Sequence, residues 1–393
     1  MSASRQILAI TAVALKSLPR RIGTSLVVVV GVAAVVAVLV AALAVARGFT
    51  RAAAKTGSPG RAIVLAGDTE SSSGISRAAA ATIMDAPGVA QTATGRPIAS
   101  AEALEFIPLT DEHTGLDAYA TVRGVGPEAS ALRPEVRLVA GRMFKPGEHE
   151  VIVGRAVEER LGGLGLGRSI TLPNGAWTVV GVFTSGGDSH ESEILTDAAS
   201  LMNAYRHNEF NSVTVKLGGP RDFERFNAAL TSNPTLSVKA QREVDYFAAM
   251  SRPVSRLLEI IAYGIGAIMA FGAVFGALNT MYSAVSARRT EIATLRAIGF
   301  GGASVVVSVV IEALVLGLAG AGLGSLVAWS LLNGATVSTM TGVTPSQLTF
   351  GLAVGPGIVL IGVLFALGIA VVAGICAASR ASRISVADAM RVV

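Results

Sequence analysis

The stretch RRTEIATLRAIGF, Arg288 to Phe300, carries four charged residues in its first nine and lies between two regions with almost none. On its N-terminal side, Ile260 to Ala287 holds no charged side chain. On the other side, Ala313 to Ser379 contains no Asp, Glu, Lys, Arg or His over 67 residues. A third uncharged run extends from Ile22 to Ala46. About 20 apolar residues in a helix cross a bilayer, so these runs predict four spans, at about 23–46, 258–286, 303–333 and 352–378. The last two are separated by the turn-forming stretch NGATVSTMTGVTPSQLT. The first run is too long for the apolar region of a cleavable signal, typically 7–15 residues. It therefore reads as a retained span.

Charge is scarce overall, at 15% against 51% hydrophobic residues and a mean hydropathy of +0.59. Its placement sets the orientation. Arg5, Lys16, Arg20 and Arg21 precede the first span, Arg288, Arg289 and Arg296 face only Glu291, and Arg380, Arg383 and Arg391 face only Asp388. The segment 47–259 holds 22 basic and 24 acidic residues and is close to neutral. Basic residues concentrated in short loops on one side place those loops, and both termini, in the cytoplasm. That distribution leaves no basic patch for nucleic acid. The only cysteine, Cys376, falls in the fourth span, and a segment of roughly 210 residues can bury a core without disulfides.

The external segment alternates short β-type runs with helical ones. RAIVLAG (61–67), AYATVRGVG (118–126), EVIVG (150–154) and FNSVTVKLG (210–218) read as strands, and SRAAAATIMDAPGV, RAVEERLGG and DFERFNAALTS as helices. SITLPNGAWTVVGVF (169–183) predicts a hairpin turning at Asn174-Gly175. The expected fold is thus a four-span α-helical membrane protein with a large α/β (α+β) domain inserted between helices 1 and 2. From about Val238 the pattern is helical into the second span, with Pro253 as a kink or boundary.

The sequence offers no catalytic constellation. There is no G-x-x-x-x-G-K-[ST] phosphate loop and no H-E-x-x-H, since His149-Glu150 is followed by Val-Ile-Val. His113, His149, His190 and His207 are scattered, GGLGLG (162–167) follows a helix rather than a strand, and no G-x-S-x-G is present. No catalytic set, metal site or cofactor site is expected on this chain. Glu312 lies within the third span, where an ionisable group marks either an interhelical hydrogen bond or a proton or substrate role. Gly272 with Gly276, and Gly320 with Gly324, have the four-residue spacing that lets helices approach closely, within or between subunits. In Arg288–Phe300, Ile292, Leu295 and Ile298–Gly299 line one side of a helix and Arg288, Arg289, Glu291 and Arg296 the rest. Such a helix lies on lipid or docks in a groove of another protein.

RRTEIATLRAIGF followed by SVVIEALVLGLAGAGLGSLVAW resembles the cytoplasmic loop and third span of MacB/FtsX-like ABC transporter permeases. The external stretch resembles that family's periplasmic domain at Gly141-Arg142-Met143-Phe144, Gly167 to Leu172 and Val179 to Val182, and the ending ASRISVADAMRVV matches as well. The resemblance covers nearly the whole chain. It implies a homodimer-forming permease subunit in the bacterial inner membrane that transmits ATP-driven movement to a periplasmic domain. The organisation it implies is a cytoplasmic segment 1–22, a first span 23–46, a two-lobed periplasmic domain 47–250 with an inserted lobe at roughly 115–205, and a stalk and second span 251–287. A coupling helix 288–300, the span 303–333, an external loop 334–351, the span 352–378 and a cytoplasmic tail 379–393 complete it. By position, Arg288, Arg289, Glu291, Ile292, Leu295 and Arg296 would contact the ATPase, with Ile384 to Met390 beside them. Some relatives carry the ATPase on the same chain; here it is expected to be a separate partner that binds ATP and Mg. Other implied partners are membrane lipid, a periplasmic membrane-fusion adaptor and an outer-membrane channel. Expulsion or extraction of a peptide, lipid, lipoprotein or small molecule is the leading role. Regulation of a periplasmic enzyme such as a cell-wall hydrolase, without transport, is the alternative.

Overall fold

The structure, a computed structural model, describes residues 22–286, 293–294, 301–340 and 347–382, together with Thr11. In chain order the elements are α1 (Ile22–Lys55), β1 (Arg61–Leu65), β2 (Ile75–Ser76), α2 (Arg77–Met84), β3 (Ala99–Thr110), β4 (Asp117–Val125), α3 (Ala129–Leu132) and β5 (Arg137–Gly141). Then come β6 (Glu150–Gly154), α4 (Arg155–Leu161), β7 (Ser169–Leu172), β8 (Gly175–Thr184), β9 (Glu193–Asp197), α5 (Ala198–Tyr205), β10 (Glu209–Phe210) and β11 (Ser212–Lys216). The last are α6 (Asp222–Thr231), β12 (Lys239–Arg242), α7 (Glu243–Ser286), α8 (Gly302–Leu332), β13 (Thr336–Met340), β14 (Gln347–Gly351) and α9 (Pro356–Ser382). Four of the helices, α1, α7, α8 and α9, are long and apolar enough to cross a membrane.

Two compact units emerge. The helical unit takes the described residues of Met1–Ala46, Leu257–Ala335 and Leu352–Val393; the α/β unit takes Arg47–Arg256 and Thr336–Gly351. In the helical unit, Val32, Val36, Leu39 and Val40 of α1 pack with Ala321 and Ala328 of α8 and with Ile358, Ala366 and Ala373 of α9. Helix α7 contributes less: 17% of its most apolar window is buried, against 39–44% for the other three. Ile268, Phe271 and Phe275 on α7 are exposed.

The α/β unit is organised by one sheet of order β12-β1-β11-β3-β4-β9-β6-β8-β5, with β7 paired to β8. Two apolar cores lie along it. Val64, Ile83, Val213, Val215 and Phe226 form one, and Val122, Val151, Val153, Trp177 and Leu201 the other. Strand β3 serves both: Ala99–Glu102 pair with β11, and Ala103–Thr110 pair with β4. Ser76 starts α2 by accepting a hydrogen bond from the Ala79 amide, as the sequence predicts for a serine cap.

Two features differ from the sequence reading, and a third, Pro253, falls on one of its two alternatives. The β7–β8 hairpin turns one residue earlier than expected, with Leu172 opposite Gly175 and Pro173-Asn174 as the loop. Gly175 takes the positive φ of +128° while Asn174 does not, so the mirror-image turn that needs two positive φ values is not formed. Proline holds φ near −65° and suits the first loop position, while Asn174 Oδ1 accepts from Trp177 Nε1 at 2.8 Å. Pro253 lies inside α7 rather than at a boundary. The stretch between α8 and α9, read as a loop, pairs as the hairpin β13–β14, whose Phe350 meets Phe49 edge to face at 5.9 Å.

Candidate functional site

Charged side chains converge at the centre of the α/β unit. Arg123 sits in the middle of β4 in a run buried on both faces, so its guanidinium has no path to water and must find partners inside. It grips Glu193 of β9 with two bonds of 2.8 Å and Glu70 with bonds of 2.7 and 3.2 Å. It also reaches Glu102 of β3 at 3.0 Å. Arg133, just after α3, pairs with Glu102 and lies 3.5 Å from Glu243 at the start of α7. Arg61 of β1 pairs with Glu243 and with Glu135, and donates to the Leu132 carbonyl at 3.0 Å. The Glu102 and Glu243 side chains are fully buried.

The ends of two spanning helices are fixed into this cluster. Besides its ion pairs, Glu243 accepts from the Ser58 amide at 2.9 Å, and Tyr246 one turn on accepts from the Glu70 amide at 3.2 Å. Just past α1, Thr56 accepts from the Ser189 amide at 2.8 Å, and Thr50 of α1 donates to Ser255 of α7 at 3.0 Å. Every carboxylate named is occupied by a guanidinium, an amide or both. The arrangement is a joint, in which buried ion pairs and hydrogen bonds tie the helix ends to the sheet. Among the described residues no group of three or more His, Cys, Asp or Glu is placed to hold a metal ion.

His190 joins the cluster through Nδ1, 3.0 Å from Glu193 Oε2, with its ring edge-on to Phe247 of α7. Burial is the largest influence on the imidazole and favours the neutral ring. The Glu193 carboxylate, with Asp188 behind it, outweighs burial and the opposing Arg133, so the pKa lies above the ordinary value. Burial likewise pulls Glu102 and Glu193 upward, but Arg133 and Arg123 bring Glu102, and Arg123 with His190 brings Glu193, below the usual carboxylate range. The His190 contribution to stability is therefore complete below about pH 6.5, the unfolded value, and is lost as pH rises through the folded one. The carboxylate contribution is complete above about pH 4.5 and is lost as pH falls through the lowered values. Thermal unfolding of the full chain is expected to show declining stability on the alkaline side of about pH 6.5. His190→Gln should remove that slope; a slope that survives the substitution assigns the titration elsewhere.

The residues singled out from sequence fall elsewhere. Arg288, Arg289, Glu291, Ile292, Leu295 and Arg296, and the tail Ile384 to Met390, lie outside the described residues; between the former, Ala293 is helical and buried. Glu312 is half-buried on α8 and interacts with a neighbouring group. Gly320 and Gly324 meet α1 within the chain: a Cβ on Gly320 would come 2.9 Å from the Val29 carbonyl oxygen, and one on Gly324 would overlap that of Ala33. Gly272 and Gly276 on α7 have open space around them. Sequence reading missed the ion-pair cluster. The available signal was a lone charge inside an otherwise buried run, as in ATVRGV and SAEAL.

These features define a multi-pass membrane protein whose spanning helices carry a folded α/β domain outside the membrane. The model for the MacB-like periplasmic core domain matches residues 22–233, and that for the FtsX-like permease C-terminal region matches residues 263–386. The chain belongs to the MacB/FtsX-like family of ABC transporter permeases. Similar solved structures include the extracellular domain of the ABC-type transporter YknZ from Gram-positive bacteria, at 16% identity and a TM-score of 0.35, covering 46% of this chain and 99% of that one. The periplasmic region of MacB from Actinobacillus actinomycetemcomitans is 12% identical with a TM-score of 0.38, covering 51% and 94%. No curated protein matches the chain.

Proposed function

We propose that this chain is the permease subunit of an ABC transporter in the bacterial inner membrane, with both termini cytoplasmic. It couples ATP hydrolysis by a separate ATPase to movement of its external domain, which expels or extracts a substrate across the cell envelope. The observation that carries this reading is the joint match of the periplasmic and permease family models across both parts of one chain. Helices α1 and α7 each contribute residues to both units, and their ends are held in the external domain by hydrogen bonds and buried ion pairs. A push delivered along either helix reaches a joint that does not yield. A second permease copy is the proposed homodimer partner, and the segment Arg288–Phe300 the proposed contact with the ATPase.

The test is charge reversal in that segment. Glu291→Lys or Arg296→Glu, reconstituted with the ATPase that co-purifies with the chain, is expected to abolish permease-dependent stimulation of ATP hydrolysis. Membrane insertion should be unchanged. Stimulation equal to wild type in both variants would refute the coupling role. Co-purification with a cell-wall hydrolase in place of an adaptor or outer-membrane channel would favour signal transmission over export.

A further inference from the structure

Residues 47–55 of α1 and 252–260 of α7 hold five cations and one acid, Glu259. Arg51, Arg252 and Arg256 are exposed and Arg47 is half-buried. Among the described residues, none of these four guanidiniums pairs with a carboxylate or donates a hydrogen bond. The fifth cation, Lys55, is turned to the Gly186 carbonyl at 3.3 Å. The contrast is with the buried cluster, where Arg61, Arg123 and Arg133 each hold a carboxylate.

Helix geometry gathers the four on one surface. Thr50 bonds to Ser255 and, further along the chain, Ser58 bonds to Glu243, so these segments of α1 and α7 run antiparallel. At about 100° per residue, Arg51 and Arg47 lie about 100° and 60° round α1 from Thr50. Arg256 and Arg252 lie at the same angles, in the same sense, round α7 from Ser255. On facing antiparallel helices equal offsets emerge on one side, so all four share it. Phe49, Ala53, Phe247 and Met250 line a cavity inside the domain on the opposite side, and the arginine side faces outward.

Depth along the helices specifies the occupant. Arg47 directly follows the uncharged run Ile22–Ala46, and Arg256 stands four residues before the run that opens at Ile260. At a rise of 1.5 Å per residue, Arg47, Arg256 and Arg51 lie about 1.5, 6 and 7.5 Å outside those runs. The polar layer of a bilayer extends about 5–8 Å beyond its hydrocarbon core, so these three stand within it. Arg252, about 12 Å out, reaches back along its flexible stem. Guanidiniums bind phosphate through paired N–H donors, and at this depth the bilayer presents its own phosphates. The net positive charge selects headgroups that carry no compensating cation. We propose that Arg47, Arg51, Arg252 and Arg256 bind the phosphate of an anionic phospholipid headgroup. A phosphate shared by the two helices would brace them on the side that the buried ion pairs leave open. Calling that leaflet the outer one rests on the orientation proposed above; the binding does not.

The probe is phosphatidylglycerol carrying a diazirine at the headgroup end of one acyl chain, doped into phosphatidylcholine nanodiscs that hold the full chain. Adducts formed on illumination are mapped by mass spectrometry and compared with those of a phosphatidylcholine probe of the same design. Labelling of residues 47–55 and 252–260 by the anionic probe is expected to exceed that by the zwitterionic one about fivefold or more, since one cation near an anionic surface is worth about that factor. The combined variant Arg47→Gln, Arg51→Gln, Arg252→Gln and Arg256→Gln should bring the two probes level. It should keep the wild-type unfolding profile of Trp177, so that lost labelling reports lost charge. A large excess of inorganic phosphate should leave the preference intact; its displacement of the lipid would make this a site for free anions and overturn the proposal. Equal labelling by the two probes in the wild-type chain would overturn it too, as would a preference that survives in the glutamine variant. No ATPase is present and lipid occupies both leaflets, so failure here leaves the coupling test of Glu291 and Arg296 standing.

Discussion

Arg123→Met is expected to unfold the α/β domain or lower its melting temperature sharply. The substitution preserves length and apolar volume but withdraws the partner of three carboxylates at once, Glu70, Glu102 and Glu193. Breaking one buried ion pair by removing one side costs about 3–5 kcal/mol because the other charge stays buried. A whole domain is stable by about 5–15 kcal/mol, so the loss is a large share of the total. Thermal unfolding followed through the fluorescence of Trp177, fully buried in this domain, measures it. Arg142→Met is the control, because the Arg142–Glu150 pair lies at the surface with the Arg142 side chain 49% exposed; solvent-exposed pairs contribute little. Adding Glu102→Gln and Glu193→Gln to Arg123→Met should recover part of the loss by removing the stranded charges. Equal effects of Arg123→Met and Arg142→Met would show that burial is not what gives the cluster its weight.

The second large effect belongs to the helical unit. Gly324→Val is expected to prevent α8 from seating against α1. The new Cβ would overlap the Ala33 carbonyl oxygen, which is backbone and has no rotamer to escape through. Overpacking typically costs about 1–3 kcal/mol, and here relief requires two helices to move apart. The measurement is the fraction of purified protein that remains monodisperse after heating in detergent. Gly322→Val, two residues away with open space around it, should behave as wild type. Similar losses for both would attribute the effect to β-branching in the helix rather than to the α1–α8 contact.

The two units were unequally legible in the sequence. Spanning helices announce themselves through local composition, because a bilayer demands a continuous apolar run whatever the helix packs against. The sequence also pointed to Gly320 and Gly324, since close helix contact needs small residues at a fixed spacing; it could not say that their partner is α1 of the same chain. Strand β3 escaped because ASAEALEFIPLT mixes alanine and glutamate, which carry no strand signature. Its conformation is imposed by the neighbours β11 and β4. The cluster escaped for a related reason. A charge in an alternating strand normally reads as the wet face, and only tertiary packing reveals that Arg61, Glu102 and Arg123 look inward. Their partners are also remote in sequence, with Arg61 and Glu243 separated by 182 positions.

That separation places a delay in the making of the protein. Arg61 and Arg133 fold beside a site that Glu243 fills, and Glu243 opens the helix that continues into the next span. At a synthesis rate of roughly 5–20 residues per second, Glu243 follows Arg61 by on the order of ten to forty seconds. Throughout that interval Arg61 has only Glu135 and Arg133 only Glu102 as a partner, and without Glu243 the emerging domain cannot reach its final packing. Completion of the external domain is thereby timed to the arrival of the second membrane helix. A chain stalled or cut before residue 243 is expected to be cleaved faster than the full chain in limited proteolysis.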